Sequence, residues 1–304
     1  MLTTLKHVLA RAQKEHYAVG AFNINNLEIL QAIVRAAAKL KAPVILQTTE
    51  GAISYAGMQY LRCMVLQAAK ETHVPIVLHL DHGRDLAIIR QAIKNGYTSV
   101  MIDGSHLPFE ENIAVTKKVV GWAHAKGVSV EGELGTIGGA EEKVVARKIL
   151  YTDSDAAKEF VERTGVDALA VAIGTSHGAY KFAGKTALDI QRLKEIRQRV
   201  RIPLVLHGAS GVPDWLVRTA EQHGAKLGKP EGVPDDQIKE AIKNGIAKIN
   251  TDTDLRLAFD AGVREFLATA PEDFDPRHIL GRARELMQEV VEQRMKLFGS
   301  AGRA

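Results

Sequence analysis

The chain has 304 residues, of which 46% are hydrophobic and 25% are charged, and it carries a formal net charge of +4. This is ordinary globular composition, with enough length for a sizeable hydrophobic core. The basic residues are scattered and aromatic residues are few, which argues against nucleic-acid binding and leaves a phosphorylated substrate as a compatible partner.

The cysteine content and the hydropathy restrict the class of protein further. Cys63 is the only cysteine, which excludes an internal disulfide and a thiolate metal cluster. Its helical context predicts a buried thiol. The N-terminal segment lacks the apolar region and cleavage site of a signal peptide, and no apolar run approaches the length of a membrane span. We therefore expect a soluble, cytoplasmic protein.

Short β-rich runs alternate with amphipathic segments along the whole chain. In chain order, the predicted strands are 17–22, 43–48, 75–80, 98–103, 127–134, 167–173, 203–208 and 246–250. The intervening segments have helical periodicity, and several end on glycine, as helices often do. Strands of this apolar, β-branched type that alternate with helices form parallel sheets covered on both faces. Eight such units favour a closed (β/α)8 TIM barrel over an open doubly wound sheet.

No linker or low-complexity segment divides the chain, so we predict one TIM-barrel domain over residues 1–304. The barrel should occupy about 1–270 and a C-terminal helical extension about 271–304. Within that extension the segment 277–297 has an apolar face, which predicts packing on the barrel or on another subunit. The long connection at 223–236 is predicted to lie at the surface or at a subunit contact.

Polar side chains stand at the C-terminal ends of nearly all the predicted strands, where barrel enzymes build their active sites. In chain order they are Asn23, Thr49, Glu50, His79, Asp81, His82, Asp103, Glu131, Glu133, His177, His207, Asn250 and Asp252. A lone histidine in such a place is more often a hydrogen-bonded core or rim residue than a metal ligand. Three strands that end in histidine, with acids on others, converge on one mouth. This pattern is typical of a catalytic zinc site with an open coordination position.

Glycine-containing segments at the same end indicate phosphate binding. "HGASG" follows the seventh strand and "NTDTD" the eighth, where barrels commonly bind phosphate. Small residues let backbone N–H groups approach the phosphate oxygens, and serine and threonine hydroxyls add donors. "GTSHGAYK" repeats the arrangement after the sixth strand, with Lys181 as a counter-charge.

Together these residues resemble those of the class II, metal-dependent fructose-bisphosphate aldolases, over essentially the whole chain. The motifs occur in the family's order: "GAFNINN", "LDHG", "MIDGSH", "VEGELGTIGG", "GTSHGAYK", "HGASGVP", "IAKINTDTDLR" and "FGSAGRA". The resemblance implies a lyase of glycolysis and gluconeogenesis. Its reaction is the reversible aldol cleavage of fructose 1,6-bisphosphate to dihydroxyacetone phosphate and glyceraldehyde 3-phosphate, with a divalent metal that stabilises the enediolate.

The resemblance also implies roles for individual residues. The metal, zinc or cobalt, would be bound by His82, His177 and His207. Asp81 matches the acid/base aspartate, and Glu141, which follows two glycines in a loop, matches the glutamate that moves a proton on the substrate carbon. Asn250 matches the residue that holds the enediolate, and we assign Asp103 and Glu133 to the surroundings of the metal or to an alternate metal position.

Two phosphate pockets follow from the same resemblance. The residues matching the first are Gly178, Lys181, Gly208, Ser210, Asp252 and Thr253, and those matching the region of the second are Asn23, Thr49 and Arg277. A monovalent cation, Na⁺ or K⁺, would bind near the phosphate. Arg277 would reach the distal phosphate of a neighbouring subunit's substrate, which predicts a homodimer or homotetramer.

The stretch "VLHLDHG" illustrates how one strand end could hold several roles. Strand alternation puts His79 and Asp81 on one side, and a turn after Asp81 would let His82 reach the metal. We predict that His79 packs inside the barrel. Glu131 shares a strand face with Glu133, but the sequence assigns it no role.

Four alternatives stay open at this point. Tagatose-1,6-bisphosphate aldolase differs only in stereochemistry at C4, although "GTSHGAYK" favours the fructose enzymes. A barrel zinc hydrolase would usually have a His-x-His pair on its first strand, which "YAVGAF" lacks. A Schiff-base aldolase would need Lys248 as its nucleophile and would leave three histidines unused. A non-catalytic sugar-phosphate-binding protein would have no use for Glu141.

Overall fold

The computed structural model describes residues 1–136, 138–141, 144–146, 150–177, 187–228 and 230–304. Its strands are β1 (Val19–Asn23), β2 (Val44–Thr48), β3 (Ile76–Gly83), β4 (Ser99–Ile102), β5 (Ser129–Leu134), β6 (Gly138–Glu141), β7 (Val144–Ala146), β8 (Ala168–Val171), β9 (Ser176–His177), β10 (Leu204–Leu206) and β11 (Ile246–Thr251). Eight of them, in the order β1-β11-β10-β8-β5-β4-β3-β2, close into a barrel of parallel strands. All eight predicted strands are thereby confirmed, as is the TIM barrel. The short strands β6, β7 and β9 form a separate sheet.

Helices follow the strands as the amphipathic pattern predicts. They are α1 (Leu5–Lys14), α2 (Leu27–Leu40), α3 (Glu50–Ala56), α4 (Met58–Glu71), α5 (Leu86–Lys94), α6 (Phe109–His124), α7 (Ser154–Thr164), α8 (Ile190–Arg199), α9 (Asp214–Gln222), α10 (Asp235–Lys243), α11 (Thr253–Thr269) and α12 (Pro276–Leu297). Several begin at residues whose side chains accept a backbone N–H, such as Asn26 before α2 and Asp153 before α7. Among the helices of the described segments, none has the length and apolar character needed to cross a membrane.

Two hydrophobic layers surround the strands. The outer one lies between the strands and the helices, and it joins β2 residues such as Leu46 to α2 residues such as Ile33. The inner one fills the barrel with small and medium side chains, including Ala21 and Val77, and extends onto Leu5 and Leu9 of α1. This apolar filling leaves the polar side chains of the same strands to gather towards their C-terminal ends.

The C-terminal helix α12 packs on the barrel's own helices. It lies along α2 and α11, with Leu286, Met287 and Val290 buried. Lys39 of α2 pairs with Glu292 at 2.7 Å. Of the two partners predicted for its apolar face, the barrel is therefore the observed one.

The prediction of a buried thiol at Cys63 is wrong, because the residue is exposed. Helix α4 buries Met58, Leu61 and Val65 against the core. A residue two positions after Leu61 lies about 200° around the helix and so faces away from that stripe.

Candidate active site

The end of β3 places consecutive residues inside the barrel mouth. Asp81 and His82 are 2% and 8% exposed, although strict strand alternation would send one of them outward. His82 has a left-handed backbone with φ of +45°, and the pairing with β4 shifts register between Leu80 and Gly83. The local turn that the sequence required after Asp81 is thereby confirmed.

The imidazoles of His82 and His207 meet across the mouth. His207 directly follows β10 and is fully buried. Its Nδ1 lies 2.9 Å from Nε2 of His82, and the rings are edge-to-face with centroids 4.6 Å apart. Two nitrogens that bind one zinc ion tetrahedrally are about 3.3 Å apart, since each Zn–N bond is about 2.0–2.1 Å. The pair is therefore arranged as two ligands of one small cation would be.

Buried carboxylates surround the other side of His82. Its Nδ1 lies 3.4 Å from Asp103 Oδ2 and 3.7 Å from Glu133 Oε2. Burial lowers the pKa of His82, but Asp81, Asp103 and Glu133 outweigh it and raise the pKa to about 10. Burial, together with repulsion from Asp103, raises the pKa of Glu133 to about 8. The three acids around His82 therefore favour a positive charge at the position of its imidazole.

A divalent cation fits this donor set. Two groups of side chains have ligand atoms within 4.8 Å of one another, namely Asp81, His82 and His207, and His82, Asp103 and Glu133. Glu133 Oε2 and Asn250 Oδ1 are buried with no hydrogen-bond partner in the described part of the chain. Buried acceptors of this kind are costly unless a donor or a cation satisfies them.

Asp81 is held by three side-chain amides. Its Oδ2 accepts from Asn23 Nδ2 at 3.1 Å and from Gln47 Nε2 at 3.0 Å, and its Oδ1 accepts from Asn250 Nδ2 at 3.0 Å. Three donors from three different strands fix the direction of the carboxylate. Sequence reasoning missed Gln47. The available signal was a polar residue inside the otherwise apolar run "VILQT".

Glu131, to which the sequence assigned no role, lies between the imidazole of His207 and the ammonium group of Lys248. One oxygen lies 2.7 Å from His207 Nε2, and the other lies 2.7 Å from Nζ of Lys248. A carboxylate on Nε2 favours the tautomer with the proton on Nε2, so that Nδ1, which faces His82 and Asn250, carries the lone pair that a metal ligand needs. His79 is fully buried with its Nδ1 2.8 Å from Ser99 Oγ, so the prediction that it packs inside the barrel is confirmed.

The loop after β10 lies against the segment after β8. Gly208 has φ of +61°, and a Cβ at this position would lie 2.6 Å from the carbonyl oxygen of Ser176. Only glycine permits this approach without a shift of backbone. Ser210 is buried, and its carbonyl accepts the N–H of Val233 at 3.0 Å. The long connection at 223–236 therefore packs its end behind this loop.

The residues that follow β11 form the start of helix α11. Asp252 is buried at the start of α11 and pairs with Arg256 at 2.6 Å. Thr253 is the first residue of α11 and is partly buried.

Several predicted site residues lie outside the described side chains. His177 is known only as a backbone position in β9, paired with Gly139 of β6, and Glu141 only as the last position of β6. Gly178 and Lys181 lie outside the described residues altogether.

Thr49 and Arg277 each have an observed contact at the start of a helix. Thr49 accepts the N–H of Ala52 at 3.0 Å and so caps α3. Arg277 is exposed in the first turn of α12 and pairs with Asp275 at 2.5 Å. Within one chain, the surface ion pair is the observed arrangement.

A parallel barrel whose mouth holds two facing imidazoles, an oriented carboxylate and further buried acids defines a metal-dependent barrel enzyme. The family model for "Fructose-bisphosphate aldolase class-II" matches residues 3–303. The chain belongs to the class II fructose-bisphosphate aldolase family, whose members are metal-dependent lyases that act on sugar phosphates.

Curated proteins and solved structures agree with this assignment. The chain is 53% identical over 306 residues to a fructose-bisphosphate aldolase of Thermus caldophilus, with 100% of both chains covered. It is 49% identical over 307 residues to a fructose-bisphosphate aldolase of Giardia intestinalis, covering 100% of this chain and 94% of the other. The crystal structure of the YdjI aldolase from Escherichia coli K12 superimposes with a TM-score of 0.82 at 36% identity, with 100% of both chains covered.

Proposed function

We propose that this enzyme reversibly cleaves fructose 1,6-bisphosphate to dihydroxyacetone phosphate and glyceraldehyde 3-phosphate. The observation that carries the proposal is the convergence of His82, His207, Asp81 and Asn250 within hydrogen-bond distance at the barrel mouth. The relatives that match over the whole chain are named for the fructose substrate, which supports it over the tagatose sugar.

The proposed metal is zinc or cobalt, held by His82, His177 and His207, with Asp103 and Glu133 as direct or alternate ligands. When bound, the metal acts as a Lewis acid that polarises the substrate's oxygens and stabilises the negative charge that develops in aldol cleavage. Three neutral imidazoles suit this role because they leave the charge of the ion largely undiminished. The buried carboxylates of Asp103 and Glu133 beside His82 support a cation here.

The protein's own residues supply the proton transfers. In cleavage, Asp81 takes the proton from the C4 hydroxyl, and its three amide partners keep the carboxylate aimed at that position. Asn250 holds the negatively charged oxygens of the cleaved ketose. Glu141, at the end of β6, protonates the carbon that becomes the hydroxymethyl group of dihydroxyacetone phosphate.

The two phosphates would occupy two different parts of the mouth. The proposed pocket for the first is formed by Gly178, Lys181, Gly208, Ser210, Asp252 and Thr253, with a monovalent cation nearby. The second would be bound near Asn23 and Thr49, and by Arg277 of a neighbouring subunit. The guanidinium group of Arg277 can donate two parallel hydrogen bonds to a phosphate.

We further propose one functional domain over 1–304, a cytoplasmic location and a homodimer or homotetramer. The packing of α12 on α2 and α11 supports the single domain. The proposed oligomer follows from the role that we propose for Arg277 in a neighbouring subunit's site.

The substrate is tested by cleavage rates on the two bisphosphates. We expect faster cleavage of fructose 1,6-bisphosphate than of tagatose 1,6-bisphosphate, loss of activity with a chelator, and no inactivation by borohydride in the presence of substrate. Lys248 is fully buried and paired with Glu131, which is unfavourable for a Schiff-base nucleophile. Preference for the tagatose sugar, or inactivation by borohydride, would contradict the proposal.

The Arg277→Ala variant tests whether the site is completed across an interface. We expect a KM for the bisphosphate raised about ten- to a hundredfold, from the loss of a charge-assisted hydrogen-bond pair, and a much smaller change for a monophosphate ketose. Mixed oligomers of Arg277→Ala and Asp81→Ala chains should regain activity, because one mixed site would hold both native residues. Mixed oligomers without regained activity would show that Arg277 does not act in trans.

A further inference from the structure

The loop after β10 contains a backbone conformation that needs external support. Val212 has φ of +46° and is 5% exposed. A β-branched residue in the left-handed region is a genuine outlier and persists only where its surroundings impose it. The loop 208–212 contains Gly208 and Ser210, two residues of the proposed first phosphate pocket, so the conformation bears directly on that pocket.

Asp254 holds this bend from the first turn of α11. Its Oδ1 accepts the N–H of Val212 at 2.8 Å, and its Oδ2 accepts the N–H of Gly211 at 3.1 Å. The carboxylate is fully buried. Both oxygens of one charged group therefore bind two consecutive amides, which is a strong and directional attachment.

Arg294 of α12 neutralises Asp254 and backs the loop. Its Nε lies 3.4 Å from Asp254 Oδ2, its Nη1 lies 3.0 Å from Asp235 Oδ1, and its side chain is 7% exposed. A Cβ on residue 211 would meet the guanidinium, so a larger residue there would displace Arg294 from the loop. A buried carboxylate without this partner would be strongly unfavourable.

We infer that Asp254 and Arg294 are positioning residues that hold the loop 208–212 in the shape that binds the substrate's first phosphate. The inference rests on the proposed function for the identity of that phosphate. The inference gives α12 a role in substrate binding, because Arg294 on this helix stabilises Asp254 and Asp254 binds the loop. Neither residue is expected to touch the substrate.

The test uses Asp254→Asn and Arg294→Lys in the full-length, metal-loaded enzyme. We expect KM for fructose 1,6-bisphosphate and Ki for inorganic phosphate to rise together about ten- to a hundredfold, because hydrogen bonds to a charged group are lost. The kcat should stay within about threefold and the metal content unchanged, since the groups around His82 are untouched. Arg294→Lys, which keeps the charge, should have the smaller effect.

The control is Glu265→Gln, which breaks a second ion pair between α11 and α12. Arg282 Nε lies 2.8 Å from Glu265 Oε2. The two residues belong to α12 and α11 and lie outside the loop 208–212. The Glu265→Gln variant should change thermal stability slightly and leave KM and the phosphate Ki at the wild-type values. The double variant Asp254→Asn, Arg294→Met removes both buried charges, so stability should partly return while KM stays high.

Two results would overturn the inference. One is a wild-type KM and phosphate Ki in Asp254→Asn or Arg294→Lys, with only stability reduced; the other is recovery of KM together with stability in the double variant. If the wild-type protein does not cleave fructose 1,6-bisphosphate, the proposed function fails. Equilibrium titration of inorganic phosphate into wild type and variants then still decides whether the loop depends on Asp254.

Discussion

The variants His82→Ala, His177→Ala and His207→Ala are each expected to lose most of the bound metal, and with it aldol cleavage by about three orders of magnitude or more, since Lewis-acid stabilisation contributes several kcal/mol. The reason is geometric for two of them. His82 Nε2 and His207 Nδ1 already lie 2.9 Å apart in the barrel mouth. Removing either leaves one imidazole and the neighbouring acids, which bind the cation more weakly. Atomic absorption on the purified, dialysed chains measures the outcome directly.

His79→Ala is the matched control for this series. It removes an imidazole from the same strand that is equally buried but hydrogen-bonded to Ser99. It should cost stability by the loss of a buried hydrogen bond, about 1–3 kcal/mol, and retain about one metal ion per chain. A metal content near one per chain in a variant of the predicted ligands would remove that histidine from the ligand set.

Asp81→Ala is expected to keep its metal and lose carbon–carbon cleavage by about 10²–10⁴-fold, the usual contribution of a general acid or base. Asp81 accepts three amide hydrogen bonds, so its carboxylate is already oriented without coordinating a cation. Exchange of the dihydroxyacetone phosphate C–H proton with solvent should survive better than cleavage. Glu141→Ala should show the opposite bias, because its proposed task is the proton on carbon.

The control for Asp81 is Asp85→Ala, four residues further along. Asp85 caps α5 with its side chain on Ala87 N–H at 2.7 Å, so its loss should cost about 1 kcal/mol of stability and leave both activities intact. Because Asp81 also belongs to a group that could hold a metal, metal content is measured in parallel. Equal loss of both activities in both variants would refute the division of labour, and loss of metal from Asp81→Ala would make it a ligand.

The barrel could be predicted from local patterns alone. Runs such as "PVILQT" and "PIVLHL" are apolar on both faces, which only a covered parallel strand satisfies, and each is followed by a segment of helical period. Because the C-terminal ends of parallel barrel strands share one mouth, the polar residues at these ends are predicted to lie close together. They include Asp81, His82, His207 and Asn250.

The partners within the mouth could not be predicted in the same way. Gln47 contacts Asp81 from the neighbouring strand β2, and Glu131 on β5 contacts His207 beyond β8. The linear sequence does not encode such distances. The role of α12 was similarly ambiguous. Its apolar face fits a barrel helix or a second subunit equally well, and only the packing on α2 and α11 distinguished them.

The sequence by itself determined the barrel, its strand order along the chain and the residue types at its mouth, because periodicity and strand-end chemistry are local properties. The tertiary structure decided which of those residues touch. It turned His82 inward through a left-handed backbone, set Glu131 against His207, and fixed the loop at Val212 through Asp254 and Arg294. These contacts depend on barrel closure and helix packing, which bring together residues far apart in the chain.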